Sequence, residues 1–428
     1  MLNQEFTAKE FSYLVRRGDY FTYFKSNNAE AKSEDLRKEL LQYVADHWNS
    51  SNLFLTLKAT FLRGKKTYIL EKIKKDNSNF KQRLIDDFIL RKVNKNLRRI
   101  YGIHQSDRYK IIKNVKSLLS ENLPFYVCKT DIKHFYETID RDKILSDIKS
   151  SSILSFDTKY LLEKFFSNAI FRDAQGLPRG INISATLSEY FMRNFDKEIR
   201  KIDGIYYYAR FVDDIIIFST KEITKLTLKK ISTLLPKGLI LNMEKTNIVQ
   251  FHNKSSLFLE NKLSVSFLGY QFFKYAEKNA KSKIEIKIKT IIDPKKIKKI
   301  KTRLVKAFIA FSRKKDIKLL KDRILFLSAN YPIKSMRQEL TPYEKIGYLH
   351  AGIAYNYPLI DDMSCLREID TFLYELINTA AFRKINSSFT PEQRKELQKY
   401  SFYIGYQRRI KRIFNFSRRT EIVKCWSE

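Results

Sequence analysis

The stretch YYYARFVDDIIIFS, residues 206–219, constrains this chain more than any other. Two adjacent carboxylates, Asp213 and Asp214, stand between runs of aromatic and β-branched residues, and each run reads as a strand. The spacing predicts a hairpin whose tight connection is Val212-Asp213-Asp214 or close to it. Aspartate is common in turns, so an Asp pair there is ordinary in itself. Less ordinary is the lack of Gly or Asn to relieve the turn while two like charges sit beside a buried strand. Such charges repel unless one is protonated or a cation bridges them.

Another carboxylate lies upstream in KTDIKHFYETID, residues 129–140. The apolar run FYVC leads into Asp131, and Phe135 and Tyr136 follow within about one helical turn. A carboxylate at a strand end points into the crevice where open sheets bind ligands. Taken alone, Asp131 reads more simply as an N-cap for the next helix, and Phe135 reads as core. Between the two acidic segments lies GLPRGINISATLSEYF, residues 176–191. Gly176 and Gly180 bracket Pro178, which predicts a loop whose backbone approaches a ligand closely. Ser184 and its neighbours then open an amphipathic helix. Any one of these segments is a weak signal; their order is a strong one. Asp131, Asp213 and Asp214 together offer hard oxygen ligands suited to Mg2+. Two such ions about 3.5–4 Å apart would activate a 3′-hydroxyl and stabilise a departing pyrophosphate.

Around this centre the pattern predicts an α+β chain. Residues 1–95 read as helical, on the apolar spacing of EDLRKELLQYVADHW and NFKQRLIDDFILRKV. From about 96 to 275, β-rich runs (FYVCKTD, GIYYYARFV, IIIFST, SVSFLGYQFF) alternate with helical stretches, which implies a sheet backed by helices. KIEIKIKTI (283–291) alternates strictly and predicts one more strand. After Pro294 the remainder to 428 reads as mostly helix. Composition shifts place cuts near 95 and near 275–293.

Lys and Arg number 82 against 47 acids, a formal charge of +35. That imbalance calls for a polyanionic partner, RNA or DNA. A membrane is the competing partner, but no apolar run reaches the eighteen or so residues of a spanning helix. The start, MLNQEFTAKEF, does not resemble a signal peptide. Cys128, Cys365 and Cys425 form neither a disulfide framework nor a zinc pattern, so a reducing cytoplasm is the expected location. Twelve lysines fall between 274 and 306. Lys295, Lys296, Lys298, Lys299 and Arg303 are the expected backbone-phosphate contacts, against the usual reading of a charge run as a solvated face. GYQRRIKRIFNFSRRT (405–420) mixes Arg with Tyr406, Phe414 and Phe416, a composition that suits single-stranded nucleic acid, although these aromatics fit a core equally well.

Residues 125–275 resemble the palm of reverse transcriptases. KTDIKHFYETID resembles the family's first metal motif, and GLPRGINIS its loop-helix motif supporting template and incoming nucleotide. ARFVDDIIIF is similar to the tyrosine-x-Asp-Asp motif, LNMEKTNIV (241–249) to the following lysine motif, and FLGYQF (267–272) to the primer grip. The resemblance implies a right-hand polymerase with helical N-terminal region and fingers at 1–124, palm at 125–275, and thumb with a helical C-terminal region at 276–428. It implies an RNA-directed DNA polymerase, a nucleotidyltransferase that uses two Mg2+ ions, with Mn2+ as the alternative. Asp131, Asp213 and Asp214 would be its carboxylates, joined by the Ile132 backbone carbonyl, and Lys245 would serve the pyrophosphate leaving group. Tyr136 falls where the family keeps a ring that excludes a ribose 2′-hydroxyl; Arg179 and Gly180 belong to the nucleotide-supporting loop. Arg98, Arg99 or Arg108 would grip the triphosphate, with a structural or surface role as the competing reading for each.

Two departures stand out. Phe211 replaces the usual Tyr before the Asp pair, and Arg179 stands where retroviral and intron-encoded enzymes have Gln. No Cys/His endonuclease cluster or RNase H acidic quartet is traceable. Among reverse transcriptases the chain resembles the bacterial antiviral group, and within it the b-type enzyme of the two-polymerase defence systems. That implies phage defence, a companion reverse transcriptase, a noncoding RNA and an oligomeric assembly. The alternatives are DNA synthesis by the same palm without a template, and a non-catalytic RNA-binding or maturase scaffold.

Overall fold

The computed structural model describes residues 3–24, 30–62, 65–71, 73, 77–172, 174–251, 263–278, 284–336 and 347–427. Helices α1 (Ala8–Ser12), α2 (Arg17–Thr22) and α3 (Glu30–His47) gather against the long α4 (Phe80–Ile100). In α4 the expected helical period buries Leu84, Ile85, Phe88, Ile89, Val93 and Leu97. Two of its basic residues, the buried Lys92 and the half-buried Arg91, are paired. Lys92 Nζ donates to Glu10 at 2.7 Å, and the Arg91 guanidinium grips Asp19 at 2.6 and 2.9 Å. Removing Glu10 would strand the buried Lys92 charge, whereas Arg91 without Asp19 would keep Asp87 at 2.6 and 3.0 Å.

Helix throughout 1–95 is not what forms. β1 (Leu57–Leu62) and β2 (Lys65–Leu70) make an antiparallel hairpin, with Leu57 opposite Leu70 and Thr60 opposite Thr67. LKATFL and KKTYIL carry β-branched and aromatic residues on either side of an Arg63-Gly64 pair, and that local preference overrides the helical period of their neighbours. The buried Asp86 of α4 fixes the approach to this hairpin. Its carboxylate accepts from the Phe54 and Thr56 backbone N–H at 2.7 and 3.0 Å and from the Thr56 hydroxyl at 2.6 Å.

The chain then runs through α5 (Arg108–Leu119), β3 (Phe125–Asp131), the single turn α6 (Phe135–Thr138), α7 (Arg141–Lys149), α8 (Phe156–Phe166) and α9 (Asn182–Glu198). Next come β4 (Ile205–Phe211), β5 (Asp214–Ser219), α10 (Lys225–Leu234) and β6 (Asn247–Phe251). One sheet has the order β4-β5-β3-β6. β5 lies antiparallel between its neighbours, which is why its four consecutive apolar residues, Ile215 to Phe218, are fully buried. Helix α9 backs this region through Ile183, Leu187, Met192 and Phe195.

By packing, the described residues fall into two compact units. The first holds those of 1–107 and 125–250; the second holds those of 108–124 and the described residues from 251 onward. Composition shifts suggest cuts near 95 and near 275–293, whereas the described residues 263–275 pack with the later unit. There β7 (Leu263–Phe267), β8 (Tyr270–Lys278) and β9 (Ile284–Ile292) form an antiparallel sheet. The alternation of 283–291 thus ends as a strand, with Lys283 itself outside the described residues. Asp293 caps α11 (Pro294–Lys314), with Pro294 at its first turn, and α12 (Ile317–Ser328) follows.

The reading of 294–428 as mostly helix omits one pair of strands, β10 (Asn330–Met336) and β11 (Gly347–Gly352). Pro332 bars continuation of α12, and Gly352 at φ 128° passes so close to Ala329 O that a Cβ would lie 2.3 Å from it. Helices α13 (Ile353–Asn356) and α14 (Ser364–Asn378) succeed them.

Candidate active site

The Asp pair sits where the sequence placed it. Phe211 pairs with Asp214, which leaves Val212-Asp213 as the two-residue connection of the β4–β5 hairpin. Val212 takes φ 60°, a left-handed conformation that is strained for a β-branched residue and that turns of this length normally give to Gly. The missing glycine is therefore real strain, held at the tip that carries the two carboxylates.

Asp131 is brought to the same place by strand register. It is the last residue of β3 and lies opposite Asp214, the first of β5. Antiparallel partners have Cα atoms about 4.5–5.5 Å apart, and the Ile132 N–H donates to Asp213 O at 3.2 Å. The N-cap reading of Asp131 is overturned. The N-cap of α6 is His134, in a left-handed conformation with no side-chain cap, because β3 carries Asp131 past the turn.

Lys245 joins this group. It ends a short 3-10 turn, Met243–Lys245, fastened to β3 by several bonds. Asn242 N donates to Asp131 O at 2.8 Å, Lys133 N donates to Ile240 O at 2.9 Å, and the Thr130 and Thr246 hydroxyls meet at 2.8 Å. Lys245 Nζ donates to Asp131 Oδ2 at 2.6 Å, which with the other aspartates raises its pKa.

The electrostatics call for more positive charge than this lysine supplies. Burial, followed by the charge of Asp213, pushes the Asp214 carboxyl up to about 6. Burial also raises Asp213, with Asp131 adding to it. Asp131 Oδ1 is buried with no hydrogen-bond partner. Among the described residues no three acidic, His or Cys side chains are drawn in to ligating distance. The donor set nevertheless fits a divalent cation: the donors are hard oxygens, they repel one another, and one is an orphan.

Next to this centre, Tyr136 of α6 shares a hydrogen bond between its hydroxyl and Ser188 of α9, and burial raises its pKa. Phe135 is buried, as expected of core. The Arg179 guanidinium lies 5.0 Å from the centroid of the Tyr136 ring and forks onto Glu137 at 2.7 and 2.9 Å. The loop glycines make close approaches, but to the protein's own backbone. A Cβ on Gly176 (φ 69°) would lie 2.2 Å from Tyr136 O, and one on Gly180 (φ 95°) 2.6 Å from Tyr68 O. Tyr68 N donates to Arg179 O at 2.7 Å, so strand β2 docks on this loop.

Residues 73–272 match the family model described as reverse transcriptase (RNA-dependent DNA polymerase). The chain carries a reverse transcriptase domain. Its sequence matches no curated protein. Solved structures similar to it include apo telomerase from Candida tropicalis, at 15% identity over 87% of this chain and 64% of that one, with a TM-score of 0.36. A form of that telomerase truncated from the C-terminal domain gives 17%, 55%, 56% and 0.36. Telomerase from Candida albicans in complex with a fragment of telomeric RNA gives 13%, 81%, 64% and 0.35. The chain thus spans 56% to 64% of those chains.

The other sequence candidates sit on elements other than those that carry Asp131, Asp213 and Asp214. Arg98 and Arg99 are exposed in the last turn of α4. Arg108 belongs to the second unit. There it donates to Leu268 O at 2.6 Å and Asn356 O at 2.7 Å and stacks on Tyr270, the structural role named as its competing reading. Lys295, Lys296, Lys298 and Lys299 are exposed on α11, whereas Arg303 is half-buried, 5.3 Å from the Trp426 ring centroid. Of the 405–420 aromatics, Phe414 is buried and Phe416 exposed. Sequence reasoning missed Glu137 and Ser188, which orient Arg179 and Tyr136. The one available signal was an acid directly after Tyr136. Among the described residues no helix is long and apolar enough to cross a membrane.

Proposed function

We propose that this domain is an active RNA-directed DNA polymerase extending a 3′-hydroxyl with deoxynucleotides at Asp131, Asp213 and Asp214. The observation that carries the reading is the register of Asp131 opposite Asp214, with Asp213 in the adjoining turn and the carboxyls of the doublet pushed up. The three carboxylates and the Ile132 carbonyl would hold two Mg2+ ions, or Mn2+. Such ions, when bound, activate the attacking hydroxyl and stabilise the leaving oxygen.

The chain's own residues account for the rest. Tyr136, held by Ser188 and flanked by Arg179, forms the wall against a ribose 2′-hydroxyl. Lys245 keeps its proton well above neutral pH and supplies a positive charge and a proton to the departing pyrophosphate. In this reading residues 1–124 form the N-terminal region and fingers, 125–275 the palm, and 276–428 the thumb and C-terminal helices. The exposed lysines of α11 track the duplex backbone, with Arg98 or Arg99 at the triphosphate.

Incorporation of labelled dNTP on an RNA template with a DNA primer tests this. Asp213→Ala and Asp131→Ala should each abolish product, and retained synthesis in either would reject the reading. One observation favours a second reading. Arg179, in place of the usual Gln, has its guanidinium engaged by Glu137 and the Tyr136 ring rather than turned to a template base, which accords with DNA synthesis without a template. Product that persists after the template is omitted and RNase is added would establish it. The resemblance to bacterial antiviral enzymes supports a cytoplasmic role in phage defence with a noncoding RNA and a companion reverse transcriptase in an oligomer. Loss of plaque protection in the Asp213→Ala strain is the expected result.

A further inference from the structure

Arg210, two residues before Val212 in β4, is nearly fully buried, 4% exposed. Each of its five N–H donors has an acceptor. Nε donates to Asp196 Oδ1 at 2.9 Å, and Nη2 to Asp196 Oδ2 at 2.7 Å and Glu189 Oε2 at 2.6 Å. Nη1 donates to Glu189 Oε1 at 3.2 Å and to the backbone carbonyl of Val212 at 2.9 Å. Glu189 and Asp196 lie seven residues apart on one face of α9, and the Tyr208 hydroxyl donates to Asp196 at 2.6 Å. The residue beside Glu189 is Ser188, the partner of Tyr136.

A side chain that served only to fill space or balance charge would have no reason to reach the carbonyl of the one strained residue in the hairpin. We propose that Arg210 is a positioning residue: by clamping the Val212 carbonyl to α9 it holds the strained turn that presents Asp213 and Asp214 to a divalent cation. Helix α9 then fixes the metal-holding turn and the Tyr136 wall in one frame. This rests on the polymerase reading of the carboxylates.

The test is Mn2+ titration by calorimetry on the full chain, with thermal melts alongside. Lysine at 210 keeps a buried cation between Glu189 and Asp196 but is a point charge without the planar fork. Arg210→Lys should therefore weaken Mn2+ binding roughly 10- to 100-fold, as loss of a ligand's supporting partner does. Glycine at 212 adopts positive φ unaided. If the clamp works through the strained turn, the double variant R210K/V212G should bind Mn2+ within about twofold of V212G alone. If R210K does not fold, Glu189→Gln carries the test, with a smaller loss that V212G again removes. Wild-type affinity in R210K, or losses that simply multiply in the double variant, would overturn the clamp. D213N separates the two claims. If wild type and D213N bind Mn2+ alike, the reading of the carboxylates fails and the clamp with it. If D213N loses binding while R210K keeps it, only the clamp fails.

Discussion

At the scale of single residues, everything turns on carboxylates crowded in a half-buried turn. Asp214 held at about 6, against an ordinary value of 3.8, means that ionising it opposes folding by on the order of 2–3 kcal/mol. Its folded pKa is raised, so the penalty is present in full above pH 6 and disappears as pH falls toward 4. Asp214→Asn should accordingly stabilise the metal-free protein at pH 7.5, and the gain should vanish between pH 6 and 4. Chemical denaturation in EDTA at several pH values checks this; a gain independent of pH would contradict it. That Asp131 meets the Asp213-Asp214 turn was legible from the order of three segments, each weak alone. Glu137, Ser188 and Arg210 were not. Their roles depend on which helix face meets which strand, and one-dimensional spacing does not encode that.

Among elements, the loop at 176–180 is where α6, α9 and the β1–β2 hairpin meet. Gly180 is needed there for its φ and for its approach to Tyr68 O. Gly180→Ala should destabilise the protein by roughly 1–3 kcal/mol. Gly102→Ala also has positive φ but meets nothing within 4 Å, and should cost only about 1 kcal/mol. Equal melting temperatures for the two variants would show that Gly180 does not dock the hairpin. The strands of the central sheet were legible because their apolar runs are short and β-branched. The β1–β2 and β10–β11 pairs were obscured by helical flanks, whose period dominates any window wide enough to detect it.

Taken whole, the molecule carries a charge of +35, and the exposed lysines of α11 are a concentrated expression of it. Lys295→Ala with Lys298→Ala should weaken duplex binding at low salt. It should also reduce the slope of log affinity against log salt by about 0.9 for each phosphate left unneutralised. An unchanged slope would return those lysines to an ordinary solvated face. The basic character and the α+β class were plain from composition and pattern. The division into two units was not, because α5 leaves its sequence neighbours to pack with residues far along the chain.

The most direct measurement is anomalous diffraction from crystals soaked in Mn2+. Two peaks about 3.5–4 Å apart, ligated by Asp131 with Asp213 and Asp214, are the result expected. Manganese bound elsewhere, with those three side chains free of metal in a protein that still extends primers, would contradict the account.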